Sequence, residues 1–583
     1  MGGSPLDALD SVPGGDGFDQ LTRRVVAVAL VGLALRVALL GGRVSHFDEG
    51  RVAWWSMHFL DTGQFEYRYI IHGPLVQHVN KFIFGVVGPS DFTMRLFVAL
   101  VGAALPLSAL LFREHLAHDE VLGVAAFLAV NPLLVYYSRF FRSTLLVAAF
   151  SLVAFGLLVR AADERSFRYV HGAVVLVAFA FTAKENAVVY LLCWAGASAL
   201  VVDHLLFRTG SEESGVDWLV DRFPDEDDRS RYRSRLGRYV GHVVLAVVLF
   251  VAVAFYFYAP RSPAPDAVGL WQGLTNPTQF PTVVDRTVAD VVDGFEYWFG
   301  GSTEPGCDKE NLVDGYLCYL GRSLETLRDY ALPMMVLSVV GFVTERYARP
   351  EARLLVLFAA YWGFVSVLGY PLGTDIYGGW IMVNALIPLA VPAGVGLALV
   401  ARWVRDSLDD DAVSFALAAL VVVLVTGLVA TSLVTGVYTN PTGDDNTMAQ
   451  YAQPADDFRP AMGVLGDRAP DHEGPDVLFV GERYVRESPR RDGLEPLCTS
   501  ISKTLPLHWY VTMHDATGDC ARTTEGASET LGSTDPIVVV APASHSDDLD
   551  PMLEGYERHD ARLRTRGSEA VFYVDRRADT TGG

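Results

Sequence analysis

Two adjacent carboxylates follow directly on an apolar run in His46-Phe47-Asp48-Glu49-Gly50. Acidic side chains beside a membrane interface are unfavourable unless a partner or a reaction employs them. Asp48 has the chemistry to take a proton from a hydroxyl nucleophile, or to organise a divalent ion against a lipid phosphate. A solvated loop acid is the plainer alternative. Three further polar clusters sit at helix ends: Tyr136-Tyr137-Ser138-Arg139 with Arg142, Lys184-Glu185-Asn186, and Asp375-Ile376-Tyr377. Arg139 and Arg142 are three apart, about one helical turn, so they can point the same way. Two arginines and a lysine on one membrane face call for an anion, a phosphate or pyrophosphate being the natural one. The other reading pairs Arg139 or Arg142 with Asp48 or Glu185 in a buried ion pair. His72, alone beside an apolar stretch, reads as a structural histidine or as a metal ligand.

The elements that must position these groups are membrane spans. Apolar stretches near 25–42, 92–112, 120–136, 143–160, 169–183, 186–206, 239–259, 330–345, 351–369, 380–401 and 412–434 suit about eleven crossings of a ~30 Å hydrocarbon core. The segment 74–88 is short and interrupted by Gln77, His78, Asn80 and Lys81. If it stays on one face, the arginines at 23–24, 113, 160–168, 208–238, 346–353 and 402–405 all fall on one side, which the positive-inside rule makes cytoplasmic. The segment is therefore expected to be interfacial or re-entrant. The expected layout is a disordered cytoplasmic N-terminus (1–22), a transmembrane domain (23–435) with external loops 43–91 and 260–329, and an extracellular soluble α/β domain (436–583). The four polar clusters then share the outer face.

Composition agrees with that division. The 583 residues are 51% hydrophobic yet carry a formal charge of −22, and only Lys81, Lys184, Lys309 and Lys503 are lysines. Arginine in place of lysine with an acid excess suggests a high-salt, archaeal source. Cys307 and Cys318 share a loop, Cys498 and Cys520 share the tail, and each pair is free thiols or a local disulfide. The Asp225-Glu226-Asp227-Asp228 run reads as a solvated charged loop. Both Asn-Pro-Thr triplets, at Asn276 and Asn440, are excluded as glycan acceptors by their proline. From Pro454 the pattern turns to strands at 476–480, 507–512, 536–541 and 569–574, with a helix near 547–558. The acidity of that tail excludes a nucleic-acid face.

The stretches FDEG at 47–50, HGPL at 72–75, SDFTMRL at 90–96, YYSRFFRSTLL at 136–146 and FTAKENA at 181–187 resemble the family 39-like (GT-C) glycosyltransferases that use polyprenyl-phosphate sugars. The resemblance covers residues 20–200 best. It is nearest to an archaeal flippase-activity-associated branch of protein N-glycosylation. It implies a mainly α, polytopic, GT-C-like helical bundle carrying an extracellular α/β domain. It also implies an inverting glycosyltransferase acting in cell-surface glycan assembly. Carried over by residue, Asp48 is the base or metal-organising carboxylate and Glu49 its partner. Arg139, Arg142 and Lys184 hold the lipid phosphate, while Glu185, Tyr137, Asp375 and Tyr377 complete the pocket. His72 and Asp48 are the metal candidates, with a divalent ion as the cofactor. His72 departs from the family pattern, which often has a glutamate or another polar residue there, followed by Pro-Pro-Leu. The implied partners are a polyprenyl-phosphate-linked sugar, a glycan or glycoprotein acceptor and membrane lipid. The competing reading is a non-catalytic or flippase-associated factor that handles lipid-linked sugars. A transporter of soluble solutes fits less well, because few charges lie mid-span.

Overall fold

The computed structural model describes residues 19–576 except 71, 209–228, 262–267, 300–306, 308–311, 374–376, 408–411 and 488–497. Residues 1–18, Asp375 and the Asp225–Asp228 run, each given a reading above, lie outside the described residues. The chain is a polytopic membrane protein. Among the described residues, eight helices are long and apolar enough to cross a bilayer. A ninth span is the pair α5 (His118–Val130) and α6 (Pro132–Ser138), bent by 52°. Pro132 cannot donate to the α5 ladder, and Asn131 Oδ1 accepts instead from Leu133 N and Leu134 N, so the chain restarts as a new helix. The other two of the eleven expected spans are α1 (Gln20–Val37), interrupted by Arg23, Arg24 and Arg36, and α8 (Phe167–Ala183), of 17 residues.

Between α1 and α4 (Asp91–Ala104) the chain forms α2 (Phe47–Thr62) and α3 (Pro74–Val87). At 1.5 Å per residue α3 is about 21 Å long, short of the bilayer core. The long helices α7 (Ser143–Glu164) and α9 (Ala187–Arg208), with Arg229–Tyr258, Leu312–Val343, Leu354–Gly369, Val383–Asp406 and Ala412–Ser432, complete the bundle. Among the eight, the span Gly379–Asp406 is the most buried, with 83% of its most apolar 18 residues inside the protein.

The C-terminal domain has a five-stranded sheet, ordered β2-β1-β3-β5-β4, with β1 (Val477–Val480), β2 (Gly518–Ala521), β3 (Val538–Pro542), β4 (Tyr556–Arg562) and β5 (Glu569–Asp575). β1 pairs in parallel with β2 and β3, and β5 antiparallel with β3 and β4. Three of the four expected strands form. The fourth, 507–512, is a helix (Leu507–Met513): its β-favouring Trp and Tyr are placed by tertiary contact with α2 and Asp91. The helix expected near 547–558 ends by Met552, and β4 takes over from Tyr556. Disulfides join Cys307 to Cys318 and Cys498 to Cys520, while Cys193 is a buried free thiol.

Candidate functional site

α2 begins with a capping box that also builds the site. His46 Nδ1 accepts from Asp48 N at 3.0 Å, and Glu49 Oε2 accepts from His46 N at 2.9 Å. Glu49 is fully buried between two arginines: Arg43 Nη2 lies 2.9 Å from Oε2, and Arg95 donates through Nε and Nη2, both at 2.9 Å. Phe141 N adds a fourth donor group, 2.8 Å from Oε1. Burial alone would raise this carboxyl, but Arg43 and Arg95 outweigh it and hold it far below the ordinary glutamate range. With every lone pair engaged, Glu49 is the post that ties α2, α4 and the loop after α6 together, not a group open to substrate.

Asp48 projects from the same turn but in another environment. Its Oδ2 accepts from Arg142 Nη1 at 2.7 Å, and its side chain keeps 13% exposure. Burial pushes this carboxyl up, and the charges of His46 and Arg142 reverse that and hold it at about 2. Arg142 stacks on Trp380 with its guanidinium carbon 3.5 Å from the ring centre. Around this pair three buried polar atoms have no hydrogen-bond partner among the described residues: Arg142 Nε, His46 Nε2 and His72 Nε2. Unsatisfied buried groups are rare in native proteins and mark places where a ligand or water completes the structure.

The HGPL and AKEN motifs meet through their backbones. Gly73 N donates to Ala183 O at 2.8 Å, and a β-carbon at Gly73 would sit 2.4 Å from the Thr182 carbonyl oxygen. Glycine is therefore required there, and the contact brings His72 beside Lys184. The His72 Nδ1 lies 2.9 Å from Ser143 Oγ at the start of α7. Burial, with Arg142 and Lys184 facing it, drives the His72 imidazole well below its usual range, so it is neutral. Burial likewise lowers His46 to about 4.

Other expected pocket residues are placed elsewhere. Arg139 donates to the carbonyls of Leu35, Arg36, Ala38 and Leu39, and so caps the C-terminus of α1. Arg139 and Arg142 lie beyond Ser138, where α6 ends, so the one-turn spacing does not aim them together. Glu185 is buried and accepts from Tyr67 OH (2.7 Å) and Tyr258 OH (2.9 Å), joining the α2–α3 connection to the end of Arg229–Tyr258. Tyr137 OH donates to Met448 O at 2.7 Å. Tyr377 OH donates to Arg322 O at 2.7 Å and meets the Thr326 hydroxyl.

The C-terminal domain closes on this end of the bundle. Trp509 Nε1 and Tyr510 OH each donate to Asp91 at 2.9 Å, and Ser45 N donates to Tyr510 OH at 2.8 Å. Pro506 presses so closely on α2 that a β-carbon at Gly50 would lie 2.7 Å from its Cβ. Arg564, 5% exposed, stands 4.9 Å over the Phe47 ring, where its charge reaches Asp48. Arg43, Arg95, Trp380 and Arg564 are thus site-building residues that the sequence reading passed over. A readable signal existed for Arg95 alone, a charge inside the apolar run that opens with SDFTMRL.

Among the described residues no group of three or more His, Cys, Asp and Glu converges as metal ligands. The metal expected at His72 and Asp48 thus has two candidate side chains and no third, and Arg142 already holds one of them.

Comparisons with known proteins bear on both halves of the chain. The family model described as Dolichyl-phosphate-mannose-protein mannosyltransferase matches residues 71–211, and that of the Agl23 flippase-associated protein C-terminal domain matches 458–575. No curated protein matches the sequence. ArnT from Cupriavidus metallidurans in the apo state shares 14% identity over 95% of this chain and 98% of its own, with a TM-score of 0.52. The same enzyme bound to undecaprenyl phosphate shares 15% identity over the same fractions, with a TM-score of 0.53. The Archaeoglobus fulgidus oligosaccharyltransferase in its apo form shares 10% identity over 93% of this chain and 73% of that one, with a TM-score of 0.50. The chain therefore has the GT-C fold, with one segment similar to the dolichyl-phosphate-mannose-protein mannosyltransferase family and a C-terminal domain similar to that of the Agl23 flippase-associated protein.

Proposed function

We propose that the protein is a membrane glycosyltransferase that moves a sugar from a polyprenyl-phosphate donor to an acceptor hydroxyl in cell-surface glycan assembly. The observation that carries this is the Asp48–Arg142 pair, one carboxylate and one cation surrounded by unsatisfied buried polar atoms. The mannosyltransferase family segment, which includes Arg142, His72 and Lys184, supports the donor class. ArnT, which shares this fold, has been seen bound to undecaprenyl phosphate, the kind of lipid phosphate such a transfer would release.

In this reading the donor phosphate lies against Arg142 and Lys184. An Asp48 held at about 2 is too weak a base to act while Arg142 neutralises it. The arriving phosphate competes for Arg142, and Asp48 gains basicity as that contact loosens. The acceptor O–H proton passes to Asp48, the acceptor oxygen bonds to the anomeric carbon, and the sugar–phosphate bond breaks with its electron pair going to the phosphate. A single displacement inverts the anomeric centre. Fixed cations stabilise the departing phosphate. No step runs through a metal. The site end of the bundle faces outward, with the N-terminus cytoplasmic and the C-terminal domain outside.

A second reading rests on the C-terminal match to a flippase-associated protein: the same site would bind the lipid phosphate without transfer. Purified full chain in liposomes, given labelled polyprenyl-phosphate sugar and a glycan acceptor, separates the two. Transfer that disappears in Asp48→Asn supports the enzyme. Changed sidedness of the lipid, with no transfer from the wild type, overturns it.

A further inference from the structure

A second recess lies beside the site, between the C-terminal half of α2, α3 and the chain leaving Arg229–Tyr258. It measures about 400 Å³ including its open mouth, and Phe59, His78, Lys81, Phe82, Arg261 and Trp271 line it. None of its lining residues is Asp48, Arg142, His72 or Lys184. Two cations lie close together here: burial and the neighbouring Arg261 lower the Lys81 ammonium, burial lowers the Arg261 guanidinium, and among the described residues no carboxylate pairs with either. Lys81 Nζ rests 3.8 Å over the Phe59 ring. Arg261 is 4% exposed and is anchored by donating to the Ala259 and Tyr256 carbonyls. Its remaining N–H groups and its charge are left for a ligand.

His78 adds a second, independent pointer. It is 5% exposed, its Nδ1–H donates to Pro74 O at 3.0 Å, and its Nε2 is buried without a partner. Because Nδ1 carries the proton, Nε2 presents a lone pair and asks for a donor such as a hydroxyl. Burial keeps the ring neutral, at about 3. The rim is apolar and open: Phe82 is 66% exposed and Val86, one turn on, 85%, with Trp271 at 55%. An anion site with a hydroxyl acceptor and a greasy mouth at the membrane face suits a lipid, not a free ion.

We propose that this recess binds the headgroup of an anionic membrane phospholipid bearing a free hydroxyl, its phosphate on Lys81 and Arg261 and its hydroxyl on His78 Nε2. The lipid would hold α2 and α3 against the bundle at the point where both meet the bilayer. The proposal is independent of transfer activity.

The test is a tryptophan-fluorescence titration of the purified full chain with dihexanoyl phosphatidylglycerol, with Trp271→Phe identifying the responding residue. Saturable binding should weaken about tenfold in Lys81→Gln, the worth of one charge-assisted hydrogen bond. His78→Phe, which keeps the aromatic packing, should bring phosphatidylglycerol down to the affinity of dihexanoyl phosphatidylcholine. Asp48→Asn should titrate as the wild type does. Equal binding by wild type and Lys81→Gln overturns the proposal. So does displacement by inorganic phosphate at the same concentrations, or loss of binding in Asp48→Asn.

Discussion

The two ends of the bundle are both rich in charge, and they treat it differently. At the end away from the C-terminal domain, Arg353 bridges Glu120 (2.6 Å) and Glu345 (2.7 Å), and Arg402 grips Asp119 with two bonds of 2.7 Å. Glu120 and Glu345 are fully buried, and neither leaves an oxygen unsatisfied. This network staples α5, Leu354–Gly369 and Val383–Asp406 together. At the other end Glu49 is saturated in the same way, but its neighbour Asp48 is hydrogen-bonded to a single cation, and three polar atoms around that pair lack partners among the described residues. Breaking a saturated buried network costs stability because it strands a charge. An incomplete one costs the free protein something and offers that energy to a ligand. The contrast is what supports the proposal that Asp48 and Arg142 act on substrate while Glu49 holds them in place.

Substitutions can break that comparison. Asp48→Asn should lower transfer by about three orders of magnitude, the middle of the range for a general base, with a smaller loss of stability than a change at Glu49. Glu49→Ala should do the reverse, destabilising the chain by about 3–5 kcal/mol as Arg43 and Arg95 lose their anion. Its activity loss should track the unfolded fraction, measured by thermal unfolding in the same preparation. Arg353→Ala should destabilise by about 3 kcal/mol and leave the turnover of folded molecules intact; lost turnover in folded protein would remove the distinction between the two ends. The smallest effect concerns pH. Asp48 is depressed from its unfolded value of about 4 to about 2, so its stabilisation is full above about 4 and is lost as the pH falls toward 2. The stability difference between wild type and Asp48→Asn, followed by thermal unfolding, should be flat from pH 7 to 5 and shrink only below about 4.

Much of this was legible in the residues. Apolar length located the spans, and the arginine distribution kept α3 out of the count. FDEG, HGPL and AKEN each mark a segment that meets the site. Less legible was the fate of each charge. Arg139 and Arg142 have the same type and neighbouring positions, yet one caps α1 and the other faces Asp48. Periodicity misled there because α6 ends at Ser138 and the next residues are not helical. In the tail, LHWYVT carries strand-favouring residues but folds as a helix, since Trp509 and Tyr510 are drawn to Asp91 some 400 positions earlier in the chain.

The sequence by itself determined that the chain spans the membrane repeatedly, that a small α/β domain follows, and where its polar motifs interrupt the apolar pattern. These are local properties, set by hydropathy over one span and by residue type. Only the tertiary structure decided which carboxylate is saturated and which is available, and that the C-terminal domain closes over α2. Those outcomes depend on partners distant in sequence, and the energy of a buried charge is set by whatever the fold places within a few ångströms of it.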